Sequence, residues 1–343
     1  MKTAVLKSSA LLLLVAMVFC FTSVCAQAQE KVINLKFSNV YGPAHRNGML
    51  AEQWSREVEK RTNGRVKIAY FAGGTLSPGA QIYDSTVRGI SDIGASVLSY
   101  TRGKFPMTEM LDLPLGMKSG YLATKLINEY YKKFKPKEFD DVKVLFLHAH
   151  GPGLLHTTKK PVYKLEDVKG MKIRSSGINS KIVQALGGAP VGMPIPETYD
   201  ALMKGVAEGV MVPIEALKGW KLGEVTNYTT LDYGSCYSSG MFYVMNKSKW
   251  NALPNDIKAI IEKINEEWIE KQAKLWDEID KEGRDMVLAR GNKFITLSKE
   301  EDDRWAARVK PILEQHVKEM QAKGLPGDEA LKFCQEYIRT HQK

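Results

Sequence analysis

Arg174 closes the strand-like run MKIR and is followed at once by Ser175, Ser176 and Gly177. An arginine in that place suits a carboxylate, because its planar fork offers two parallel N–H donors. In open α/β sheets, ligands collect just beyond the carboxyl ends of the strands. The small residues leave room there, and hydroxyls and exposed amides can share an anion. Pairing with an interior acid, or a solvent-facing position, stays open for the same arginine. Glu215 follows the run VMVP, within reach of a ligand. It can equally be a first-turn helix carboxylate favoured by the helix dipole. His148 and His150, with His156 beyond them, are the candidate metal ligands, since alternate residues of a strand share a face. No cysteine or carboxylate nearby completes a ligand set, so local hydrogen bonding is the expectation, with no metal and no cofactor. The chain holds no GxSxG, HExxH, P-loop or GxGxxG pattern. Nothing in it therefore reads as a nucleophile with its base, and an enzyme is not expected.

The elements that must hold these residues alternate. KVINLKFSNV alternates apolar and polar residues as a strand does, and Gly42-Pro43 breaks it. Met49, Trp54 and Val58 recur at helical spacing from about Asn47 to Arg61, and Asn63-Gly64 stops that helix. RVKIAYF is the second strand, so a right-handed parallel crossover is expected. Ser77-Pro78 opens a further helix. ISDIGASVL and VKVLFLHAH read as strands, the latter buried on both faces. MKIR, VAEGVMVP and MFYVMN complete an α/β pattern. From Asn255 to Arg290 one long helix is expected, with Ile257, Ile261, Ile264, Trp268, Leu275 and Ile279 along its apolar side. A helix of that length without a clean heptad bridges two bodies. Ser298 with Glu301 predicts a capping box for a last amphipathic helix.

The N-terminus reads as a secretory signal, with Lys2 and Lys7 before an apolar run from Ala10 to about Phe21. Small residues place cleavage near Ala26 or Ala28. The apolar run is short for a membrane span of about 20 residues. Cys20 and Cys25 would leave with the signal, and Cys236 and Cys334 would remain, with a disulfide between them left open. The formal charge is +10, of which Lys2 and Lys7 carry two, leaving +8. The basic residues are dispersed among acidic ones with no aromatic-basic stripe, so nucleic acid is not an expected partner.

Three segments carry a family resemblance. They are GPAHRNGMLAEQWSREVEKRTNGRV, then LEDVKGMKIR followed by GAPVGMPIPETYDALMKGVAEGV, then WNALPNDIKAII. In this order and spacing the chain resembles the extracytoplasmic solute-binding subunits of tripartite ATP-independent periplasmic (TRAP) transporters. The resemblance implies an α/β, periplasmic-binding-protein-like fold of two lobes with crossing strands and a long bridging helix. With residues 1–28 as signal, lobe I would comprise 29–150 and 238–275, and lobe II 151–237 and 276–343. It implies a periplasmic location, Arg174 on the ligand carboxylate, and the transporter's membrane subunits as partners.

The chain departs from that pattern around AEGVMVP. Glu208 keeps an acid, but Val212 stands where the family commonly has a site-facing asparagine. Leu154 stands where sugar-acid binders carry a second arginine. Trp220 can add an aromatic wall or pack between helices. Ser96, Tyr100, His156 and Tyr237 are further strand-end or loop candidates. One anion clamp in apolar surroundings favours a hydrophobic or aromatic monocarboxylate or 2-oxo acid. A C4-dicarboxylate or sugar acid would leave polar groups unpaired, at about 1–3 kcal/mol each. Binding of such acids, a ligand-sensing role at a membrane receptor, and a secreted α/β enzyme are the alternatives.

Overall fold

The computed structural model describes residues 32–342. The signal sequence, its cleavage site, Cys20 and Cys25 lie outside the described residues.

The strand β10 (Gly240–Asn246) is buried at every position. A strand apolar on both faces belongs in the middle of a sheet, and β10 lies there, between β3 (Ile93–Val97) and β4 (Val142–Ala149). It runs antiparallel to both, pairing Met241 with Val97 and with His148. The first sheet has the order β2-β1-β3-β10-β4, with β1 as Ile33–Asn39 and β2 as Val66–Phe71. Strands β1 and β3 are parallel.

The second sheet has the order β11-β9-β5-β8-β6-β7. Here β5 is Leu154–Thr157, β6 Lys172–Ser175, β7 Ala189–Gly192, β8 Gly209–Val212, β9 Tyr228–Leu231 and β11 Lys293–Thr296. Strand β6, which carries Arg174, is parallel to β7 and to β8.

Two segments run between the sheets, from β4 to β5 and from β9 to β10. They are tied to each other where Gly153 N donates to the Tyr237 carbonyl (2.7 Å) and Ser239 N donates to His150 Nε2 (3.0 Å). The long helix Asn255–Ala289 matches its predicted span and is the third connection. It packs on the helices Arg46–Arg61 and Gly120–Phe134 and on β4, and also on the helix Glu215–Gly219. Every residue of its expected apolar stripe is buried. Trp276 on the same helix donates its Nε1 to His148 Nδ1 (3.0 Å) and stacks on that ring. His148 is thus a core residue facing a tryptophan. Among the described residues no group of three His, Cys, Asp or Glu is placed to hold a metal.

One local expectation came out differently. Ser298 accepts from Glu301 N (3.2 Å), but the Glu301 carboxylate turns to Leu165 N (2.7 Å) and Trp305 Nε1 rather than back to the cap. Only half of the capping box forms, because tying the helix Lys299–Ala322 to the second sheet layer competes for the same oxygen. The terminal helix Gly327–His341 packs both on the helix Lys299–Ala322 and on Gly120–Phe134, where Phe333 meets Tyr130 and Phe134 at 6.3 and 5.7 Å between ring centres. Cys236 and Cys334 are free, buried thiols, and burial raises the pKa of both. No helix among the described residues is long and apolar enough to cross a membrane.

Gly283 lets the long helix touch the segment before Glu215. A Cβ there would lie 2.5 Å from the Ile214 carbonyl oxygen and 3.2 Å from Glu215 Cα. Backbone cannot swing aside as a side chain does, so Gly283→Val is expected to destabilise the fold by about 1–3 kcal/mol. Urea denaturation reads this directly, and an unchanged midpoint would show that the contact yields at no cost.

Candidate functional site

Arg174 is only 3% exposed. It leaves β6 toward β7, and its Nε and Nη2 both donate to the carbonyl of Met193, at 3.0 and 2.7 Å. Nη1 has no carbonyl or carboxylate partner among the described residues. Arg174 borders a cavity of about 40 Å3 that also touches Tyr100, Ser176, Glu215 and Trp220. Val97, Ile195, Val212, Pro213 and Met241 give this space apolar walls. No other arginine or lysine lines it among the described residues.

The two sheet layers meet across the cavity. The Tyr100 hydroxyl, from the first layer, accepts from Ile195 N (3.0 Å) of the second. Burial raises the pKa of that phenol, more than the neighbouring Arg174 charge lowers it. The hydroxyl proton is given to no acceptor among the described residues. Ser99 and Ser176 hydroxyls lie 3.4 Å apart, and the rings of Tyr41 and Trp220 5.9 Å apart.

The crossing segments supply the floor. Tyr237 donates to the Met211 carbonyl (2.8 Å). His150 accepts Ser239 N–H at Nε2, so its proton sits on Nδ1, facing the Gly151 carbonyl. Burial pushes its pKa down to about 4, and Arg174's charge adds to that. His150 is therefore a neutral ring holding the two crossings together. The wall nearest Trp220 carries Glu215, 4% exposed, whose Oε2 lies 3.2 Å from His45 Nε2. Its backbone N–H donates to Asp280 Oδ1 (2.8 Å) on the long helix. Burial raises the Asp280 pKa well above the usual carboxylate range.

Of the residues expected at a site, Arg174, Tyr100, Val212, Glu215, Trp220 and Tyr237 line this cavity. Ser175, Ser96 and His156 do not. Ser175 lies on the opposite face of β6 and bonds Ser180 (2.9 Å), and Ser96 donates to the Gly79 carbonyl (2.8 Å). His156 sits behind β8, where Nε2–H donates to the Val212 carbonyl (3.1 Å) and Nδ1 faces Thr229 (2.8 Å). Burial pushes its pKa down to about 4. Leu154 is wholly buried in the second-layer core. Glu208 accepts from Lys172 N (3.0 Å) at the start of β6 and does not line the cavity. A larger depression of about 730 Å3 opens on solvent beside Glu208, among Lys159, Lys160, Lys172 and Lys204. It has none of the buried aromatic groups.

Tyr41, His45, His150, Ser176 and Ser239 were not singled out as ligand contacts. Ser176 was readable, since alternation places it on Arg174's side of the strand and Ser175 on the other. His45 was hidden beyond the Gly42-Pro43 break, where its side chain caps the helix Arg46–Arg61 by accepting from Asn47 N.

A family model described as bacterial extracellular solute-binding protein, family 7, matches residues 37–320. The chain is similar to a TRAP solute-binding protein from Rhodoferax ferrireducens T118 in complex with copurified benzoate. The TM-score is 0.85, with 28% identity over 90% of this chain and 98% of that one. It is similar also to a marine metagenome TRAP solute-binding protein specific for aromatic acid ligands, in complex with 3-hydroxybenzoate. There the TM-score is 0.84, with 28% identity, 91% of this chain and 100% of that one. The C4-dicarboxylate-binding periplasmic protein DctP of Vibrio cholerae is 25% identical over 331 residues, 91% of this chain and 95% of its own length.

The neutral state of His150 has a consequence for stability. Its folded pKa is near 4 against 6.5 in an unfolded chain. Between those values the unfolded state binds the extra proton, so stability from this residue is complete above about pH 6.5 and is lost as pH falls toward 4. Asp232, raised to about 7 by burial, acts with the opposite sign, so the difference between variant and parent isolates the histidine. His150→Gln keeps an acceptor for Ser239. It is expected to flatten the slope of unfolding free energy against pH by up to about 1.4 kcal/mol per pH unit over that interval. An identical slope in urea titrations of the two proteins would show that His150 titrates alike folded and unfolded.

Proposed function

Because the chain belongs to the bacterial extracellular solute-binding protein family 7, the substrate-binding subunits of TRAP transporters and not enzymes, we propose that it captures a hydrophobic or aromatic monocarboxylate, or a 2-oxo acid of that kind, between its two sheet layers. The observation that carries this reading is the Arg174 guanidinium, the one cationic side chain of a cavity lined mainly by apolar and aromatic side chains, with Ser176, Ser239 and Glu215 as its other polar groups. The ligand carboxylate takes Nη1 and the Tyr100 hydroxyl. The tail lies against Val212, Trp220 and Tyr41.

Two features disfavour the alternatives. A second carboxylate finds no second cation in the lining and meets Glu215 instead. A sugar acid needs partners for several hydroxyls, and each left unpaired costs about 1–3 kcal/mol. The benzoate and aromatic-acid complexes of the two relatives point the same way, and the dicarboxylate-binding relative marks the main competitor.

The cavity, about 40 Å3, falls far below the roughly 300–1,000 Å3 of pockets that enclose organic ligands. We therefore read the layers around the two sheets as lobes that part to admit the acid and close on it. Closure is driven only by contacts better in the closed state. The Tyr100 hydroxyl on Ile195 N and the Tyr41–Trp220 ring contact are such contacts. Export to the periplasm after cleavage near Ala26 or Ala28, and delivery of the acid to TRAP membrane subunits, complete the role.

Arg174→Ala is expected to weaken binding of benzoate-like acids at least about tenfold, because truncating one partner of a buried charge pair costs roughly 2–5 kcal/mol. Calorimetric titration with a melting curve as folding control tests it, and parental affinity in the variant would remove Arg174 from the site. For the ligand class, thermal shift with aromatic and branched 2-oxo acids, C4-dicarboxylates and uronic acids decides. Ligand at about 100 times Kd adds roughly 2.7 kcal/mol. Shifts confined to dicarboxylates or uronic acids would overturn the hydrophobic-acid reading.

A further inference from the structure

Glu215 is a carboxylate on the cavity wall with almost no hydrogen bonding of its own. Among the described residues its side-chain oxygens make no hydrogen bond, and the one ion-pair contact is with His45 Nε2, 3.2 Å from Oε2. Both side chains are 4% exposed. A carboxylate accepts at about four positions, so the contact with His45 leaves Glu215 capacity for further donors.

The state of His45 follows from its place in the chain. It is the N-cap of the helix Arg46–Arg61, and its Nδ1 accepts from Asn47 N (3.1 Å). An imidazole nitrogen that accepts carries no proton, so in the neutral ring the proton is on Nε2, the nitrogen facing Glu215. The ring also packs against Tyr41 and Trp220, at 4.5 and 5.4 Å between centres. His45 thus fixes where the carboxylate sits and leaves the cavity-facing acceptor positions of Glu215 free.

Resting on the reading of the site as an aromatic-acid pocket, we propose that Glu215 is a second recognition point, which accepts a hydrogen bond from a hydroxyl on the ligand's ring, with His45 as its positioning residue. Arg174 takes the carboxylate, the tyrosine and tryptophan rings take the aromatic body, and Glu215 reads the substituent. The preferred ligand class is then a hydroxylated aromatic monocarboxylate. A negative substituent is rejected at the same point by the charge of Glu215.

The test compares benzoate, its three ring-hydroxylated isomers and the matching methoxybenzoates by calorimetric titration of the mature protein. At least one hydroxy isomer is expected to bind about tenfold tighter than benzoate or better, the gain expected of a hydrogen bond to a charged acceptor. Its methyl ether, which has no proton to donate, is expected to lose that gain. In Glu215→Leu the ratio of the two affinities should fall below about threefold. His45→Asn keeps a capping acceptor for Asn47 N–H and removes the Nε2 donor, and it should lower the ratio as well. A gain that survives in Glu215→Leu, a methyl ether as tight as the phenol, or no isomer better than benzoate would each overturn the proposal. If benzoate and all its derivatives fail to bind while another acid class raises the melting temperature, the aromatic-acid reading itself falls, and the subsite with it.

Discussion

Burying Arg174 takes a full positive charge out of water, and no carboxylate among the described residues is placed within ion-pair distance of it. An isolated buried ion costs several kcal/mol even after relaxation. The fold offsets part of that with the Met193 carbonyl, which takes two of the guanidinium's N–H groups. The rest of the site is arranged around what is still missing. Tyr100 keeps its proton, His150 is held neutral, and the nearby aliphatic side chains keep competing water out. The only carboxylate in the lining, Glu215, faces a histidine rather than the arginine. The cavity therefore carries a guanidinium on one side and a carboxyl group on another.

That arrangement depends on three chain crossings that share their fastenings. His150 on one crossing holds Ser239 on the other, and Gly153 bonds Tyr237 beside them. The long helix adds Asp280, whose Oδ1 accepts from Glu215 N while Oδ2 crowds the place a Cβ on Gly151 would take, 2.0 Å away. Side chains that line the site and backbone that joins the layers are thus the same short segments. A change in the separation of the layers moves Tyr237 and His150 together.

Much of the scaffold was legible because its signals are local. The long helix was delimited to within a residue by Asn255 and the apolar stripe beyond it, and β4 and β10 announced central positions by being apolar on both faces. Arg174 was legible from its strand end and neighbours. What escaped depends on phase or on distance. Ser96 and Ser175 were each one residue out of step with Val97 and Ser176, and a strand's face is fixed by its partners across the sheet. For the His148–His150 pair, alternation put both rings on one face and left local hydrogen bonding as the expectation, without saying with what. Trp276, far along the chain, shows what that face meets. The pairing of His45 with Glu215 had no local signal, since a capping histidine looks like any loop polar residue.

The place of β10 also sets the order in which this chain can become structured. Its pairing of Met241 with Val97 joins residues from opposite halves of the sequence, and until it arrives β3 and β4 both present open edges. Closing so long a loop before any contact rewards it slows folding, and unpaired edges invite association in the meantime. The first sheet therefore cannot form during emergence of its own first four strands. It waits for a strand encoded after most of the second sheet.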